Sequence, residues 1–166
     1  MLQDHFRMMG RFNAWANRRV YDAVAGLGDD DYRKTRPAAF FGSIHGTLNH
    51  LLIGDLVWFG RIEGTDSGVT SLDQILHDDL AGLRAAREAE DARIMGLIDA
   101  MSEDELAREA AFKLMNGTPV TMPVRHMLAT VLNHQTHHRG QVHALLKEAG
   151  VPPPPLDIVF YLAEAG

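Results

Sequence analysis

The chain has 166 residues, 46% of them hydrophobic and 23% charged, with a formal net charge of -6. That length suits one domain spanning 1–166 with a core of its own, and the acidic balance argues against a nucleic-acid partner. The chain has no cysteine, which excludes disulfides, thiolate catalysis and cysteine-ligated metals together.

From the N-terminus, Leu2, Phe6, Met9, Phe12, Ala16, Val20, Ala23 and Leu27 recur at spacings of three and four. They predict a first helix with one buried face. A polar connection, "DDDYRKTRPAAFFG", follows Gly28. Ser43 is placed to cap a second helix carrying Ile44, Leu48, Leu51, Leu52, Leu56 and Phe59, which ends near Gly64. This helix is apolar over most of its surface and is expected at the centre of the fold.

A third helix is expected from just after Ser71 to about Met101, with Leu72, Ile75, Leu76, Leu80 and Leu83 opening its core stripe. Its middle, "RAAREAEDAR", reads as a solvated face. "SEDE" at 102–105 has the form of a capping box, with Glu105 reaching back to Ser102. Asn116-Gly117 between short apolar runs predicts a hairpin. Pro123 then suits the first position of a fourth helix, and Gly150 marks its stop. "PPPP" at 152–155 is expected to be extended, and the apolar segment after it to pack back on the body. The expected fold is all-α: an up-down four-helix bundle with a short β-hairpin before the last long helix.

The fourth helix holds "NHQTHH", three of the nine histidines within five positions. At about 100° per residue, His134 and His138 lie about 40° apart on one face, one turn from each other. Val131, Leu128 and Leu145 set the core stripe beside them, so both rings are expected inside. A buried imidazole must satisfy both nitrogens, either through hydrogen bonds to neighbours or by binding a metal. With no thiols in the chain, a third ligand has to come from elsewhere. His50, in the middle of the apolar second helix, is the best candidate. His45 lies about 140° away round that helix and is not expected to share the site. His143 is expected at the surface or a dimer contact, and His5, His77 and His126 are read as ordinary polar positions. Gln141, two turns on from His134, could orient a ligand from behind. Gly140 suggests a close helix crossing.

"GSIHGTLNHLLIGDLVWFGRIEG" taken with "LNHQTHHRGQVHALLKEAG" resembles the DinB/YfiT-like family of metal-binding four-helix bundles, the bacterial damage-inducible proteins. "FNAWANRRVYDAV" and "PPPPLDIVFYL" extend the resemblance over nearly the whole chain. It implies a metal site of one histidine from the second helix and two from the fourth, which here are His50, His134 and His138. It also implies a homodimer, an approach of Asn17 to the site from the first helix, and in some relatives a transferase or isomerase using a low-molecular-weight thiol such as bacillithiol or mycothiol. Three neutral imidazoles leave coordination positions open, with zinc the default ion and nickel, iron or manganese alternatives.

The first functional expectation is therefore a metal-dependent transferase joining an external thiol to a small electrophilic substrate. A metal-water hydrolase and a non-catalytic, metal-stabilised stress-response module are the alternatives. The N-terminal stretch "MLQDHFRMMGRF" lacks the apolar run of a signal peptide, and a cytoplasmic protein without membrane contact is expected.

Overall fold

A computed structural model describes residues 1–165. Its long helices are α1 (Leu2–Val24), α3 (Ile44–Glu63), α4 (Leu80–Ala100) and α6 (Val124–Glu148). Between them lie α2 (Asp29–Arg33), α5 (Glu103–Ala107) and the strands β1 (Glu109–Lys113) and β2 (Pro119–Pro123), with α7 (Ile158–Ala165) closing the chain. No helix among the described residues is long and apolar enough to cross a membrane.

The expected bundle is present. α1 packs against α4 and α6, and α3 against α6 and α4. Chain neighbours α1 and α3 therefore face each other across a diagonal, as do α4 and α6. The connections that span those diagonals are 25–43 and 101–123. β1 and β2 form the expected antiparallel hairpin, with Ala111 opposite Thr121. Gly117 takes a φ of 84° at its turn, where a side chain would be strained. Pro123 is the residue before α6 and still belongs to β2, one position earlier than the sequence suggests.

The third helix begins later than its periodicity predicts. Leu72, Ile75 and Leu76 share the helical spacing, but Asp79 is the residue that caps α4, accepting a hydrogen bond from Gly82 N at 2.7 Å. Leu72 and Ile75 are 41% and 45% exposed rather than core. The segment before Asp79 is a loop held to α3 by Asn49, whose Oδ1 accepts from the Leu76 and His77 amides at 2.9 and 3.0 Å. The capping box at 102–105 is half formed. Ser102 Oγ accepts from Glu105 N, but the Glu105 carboxylate turns to Arg108.

Two apolar clusters fill the bundle. One gathers Phe6, Phe59, Ile98 and Met127; the other gathers Val20, Leu48, Leu83 and Leu145. The buried polar side chains Asn13, Asn17, His50, Asp55, Arg87, Asp91, Gln135, His138 and Arg139 come from the middle stretches of the four long helices. This corrects the reading of "RAAREAEDAR" as solvated: Arg87, Glu90 and Asp91 are all buried. Charge alternation suggested water, but the partners that make burial tolerable sit on other helices. The tail does return to the body through Tyr161, which lies against Phe12 and Trp15, and Trp15 Nε1 donates to Glu164 at 2.8 Å. The outer side of α7 does not: Val159, Phe160 and Leu162 stay exposed.

Candidate metal centre

α3 and α6 lie side by side and bring His50, His134 and His138 together. Each ring offers one nitrogen, and these three nitrogens lie within 4.8 Å of one another. No other described group of three His, Asp or Glu side chains meets that condition. His50 Nε2 and His134 Nε2 face each other across 2.9 Å. Two nitrogens bound to one tetrahedral zinc at 2.0–2.1 Å would stand roughly 3.3 Å apart, so a small adjustment suffices.

The protons on two rings are fixed by their partners. His50 Nδ1 lies 2.8 Å from the carbonyl oxygen of Leu72, which can only accept. His138 Nδ1 lies 2.7 Å from Gln141 Oε1, the acceptor end of that amide. Both rings therefore carry the proton on Nδ1 and turn the Nε2 lone pair inward. His134 is placed differently. Its Nε2 faces the His50 lone pair, and its buried Nδ1 has no partner among the described residues. Inward nitrogens that bond only to each other, beside an unpartnered His134 Nδ1, form a set that fits a cation.

Burial also keeps the rings neutral. It pushes His50 down to about 4, against the opposing pull of the Leu72 carbonyl. It pushes His134 down to about 3, helped by the neighbouring imidazoles, and lowers His138 against the pull of Gln141. All three are ready to donate to a metal at neutral pH.

The sign of the pH effect follows. An unfolded chain protonates these histidines near the ordinary value of about 6.5, before the folded protein does. Their contribution to stability is complete above that pH and is lost as pH falls toward 4. Asp55, which burial pushes up to about 6, works in the opposite sense over the same range. We therefore expect the metal-free protein to lose stability between pH 6.5 and 5 relative to a His134→Gln variant. Denaturant midpoints of the two proteins against pH measure this, and parallel curves would contradict it.

Two glycines let the rings into place. A Cβ at Gly54 would stand 2.6 Å from His134 Cε1 and 2.9 Å from its Nδ1, so the imidazole lies directly on the α3 backbone. A Cβ at Gly46 would meet the Phe41 carbonyl oxygen at 2.1 Å. Its absence lets the 39–43 segment fold over the start of α3, where Ser43 Oγ accepts from Gly46 N as expected of the cap. That fold seats the Phe41 ring on His50, 3.7 Å between centroids and 17° from parallel. Gly54→Ala should displace His134 and weaken metal binding roughly 10–100-fold although no ligand is changed. Isothermal titration with zinc reads the effect, and wild-type affinity would show that the ring need not rest there.

The remaining histidines are accounted for individually. His45 is buried, with Nε2 3.0 Å from the His77 carbonyl, outside the cluster. His137 is exposed, and His143 is half-buried away from the three. His5 and His126 line a separate groove between α1 and α6. Asn17 does not reach the imidazoles but donates to Asp91 and accepts from Arg139. Gly140, read as a close crossing, has nothing within 4 Å of where its Cβ would stand; the tight contact is at Gly54. Three supporting groups escaped the sequence: the Leu72 carbonyl, Phe41 and Asn49. The first belongs to a segment expected to be helical, where its oxygen would have been engaged within the helix.

A cavity of about 390 Å³ opens onto His50 and His134, walled by Gly54, Trp58, Leu72 and Met115. Among the described residues no carboxylate lines it.

The DinB family profile matches residues 1–165. The chain belongs to the DinB family. It is 26% identical over 159 residues to Protein DinB of Bacillus subtilis (strain 168), covering 91% of this chain and 90% of that one. It also shares its fold with the crystal structure of a DinB-like protein, YjoA, from Bacillus subtilis. There the TM-score is 0.63 at 19% identity, over 89% of this chain and 95% of the other. In this DinB chain the three histidines occupy the facing middles of α3 and α6, and the hairpin and the 65–79 loop frame the cavity beside them.

Proposed function

We propose that this protein holds a divalent ion, zinc by preference, on His50, His134 and His138, and uses it to activate a low-molecular-weight thiol for transfer to an electrophile. A bound divalent ion supplies Lewis acidity that favours thiolate over thiol at neutral pH. The chain's own groups do the rest. The Leu72 carbonyl and Gln141 fix the proton positions of two rings. Phe41 covers His50 against water, and Gly54 gives His134 its seat. The thiol comes from outside, because the chain has no cysteine.

The observation that carries this reading is the cavity of about 390 Å³ reaching two of the three rings. A purely structural ion needs no such access. The lack of a carboxylate in its lining weighs against a metal-water hydrolase, which needs a nearby base. Asp55 is no substitute, since it is buried and paired with Arg87 at 2.6 Å. The test is a conjugation screen with small thiols and electrophiles on protein loaded with metal. Product that requires both added metal and added thiol supports the transferase. Turnover with water alone, or none with any thiol, contradicts it.

A further inference from the structure

Arg61 lies in the wall of the same cavity, on the α3 stripe that begins with His50 and Gly54. It is half-buried, and burial lowers its pKa with no carboxylate acting to restore it. Nine of the thirteen arginines pair with a carboxylate within 4.0 Å; among the described residues Arg61, like Arg18, Arg125 and Arg139, does not. Its guanidinium lies against both the Trp58 and Phe112 rings, 4.9 Å from each centroid. One nitrogen donates to the Lys113 carbonyl at 3.0 Å. A guanidinium has five N–H donors and stays charged, so most of its capacity is left for a partner. The one acid in the lining of the adjoining cleft, Asp73, accepts from the Ser71 hydroxyl. Apart from Asn116, the lining besides Arg61 and the imidazoles is apolar: Gly54, Val57, Trp58, Leu72, Leu114 and Met115. His50 and Arg61 are roughly 16 Å apart along the helix.

We propose that the cavity takes an elongated amphipathic anion, with a carboxylate or equivalent group on Arg61, an apolar body along that wall, and its far end at His50 and His134. Placing the reactive end at a metal rests on the reading given under Proposed function; the anion site on Arg61 does not.

Phenylhexanoate and its primary amide differ only in the charged end and serve as probes, titrated calorimetrically into the full chain freed of metal with chelator. Without metal, the carboxylate has no ion to bind other than the protein's own cations. The acid is expected to bind about tenfold more tightly than the amide, the scale of a charge-assisted pair. Arg61→Gln should abolish that preference while leaving amide affinity within about twofold, and Arg61→Lys should retain part of it. If Arg61 only clamps the hairpin to α3, Arg61→Gln will weaken acid and amide alike, which overturns the proposal. Equal binding of the two probes to the wild-type protein, or binding of neither, overturns it without any variant. Zinc titration of the same preparation separates the two readings. Absent zinc binding with the acid preference intact sinks the metal centre and leaves the anion site standing.

Discussion

His134→Ala is expected to abolish stoichiometric binding of a divalent ion, while His143→Ala leaves it intact. The three rings are nearly equidistant, 4.4–4.9 Å between centroids, so each faces both others. His134 Nε2 faces His50, its ring centroid is 4.4 Å from that of His138, and its removal opens a gap over Gly54. Disturbing a group behind a ligand costs about 10–100-fold in affinity, and deleting the ligand itself should cost more. His143 shares the helix but lies about 180° round it from His134, and it is not one of the clustered groups. Metal-to-protein ratios after desalting, measured on untagged protein, distinguish the two variants. Loss of metal in His143→Ala with retention in His134→Ala would mean that the inward face of α6 has been misassigned.

Arg87→Ala should be the most destabilising single change away from the imidazoles, by about 3–5 kcal/mol. Arg87 is 1% exposed and pairs with Asp55 at 2.6 Å and Asp91 at 2.9 Å. Truncating it leaves Asp55, also 1% exposed, in the middle of the bundle without its nearest cation. Arg139 cannot replace it readily, because it is committed to Asn13 and Asn17. Burial already pushes Asp55 up to about 6 with Arg87 in place. In the variant it should protonate at higher pH, which relieves part of the cost. Asp55→Asn combined with Arg87→Ala should therefore lose less than the two single changes summed. Urea midpoints of the four proteins give the answer. A loss below about 1 kcal/mol for Arg87→Ala would show that the network can relax or admit water.

The legible parts of this protein were those specified by spacing along one helix. His134 and His138 fall on the inward face of α6 because four residues make about one turn, and Val131 and Leu128 show which face is inward. Ser43 and Gly117 were legible because a cap and a tight turn need those residue types locally. What stayed hidden depends on contacts between distant segments. "RAAREAEDAR" looks solvated until Asp55, Asn17 and Arg139 arrive from three other helices. Leu72 and Ile75 keep a helical period through a loop, because Asn49 supplies from α3 the hydrogen bonds that a helix would have made. Gly54 gave no signal either. Its importance appears only once the His134 ring rests on it, and sequence attention fell instead on Gly140, which has open space.

The central claim is that three imidazoles from two helices share one cation. X-ray absorption at the zinc edge of the loaded protein tests it most directly. The account predicts one zinc per chain with three nitrogen scatterers at about 2.0–2.1 Å, showing the outer-shell signature of imidazole, and a changed spectrum in His134→Ala. Zinc that binds with fewer than two imidazoles, or gives the same spectrum in His134→Ala, would contradict it.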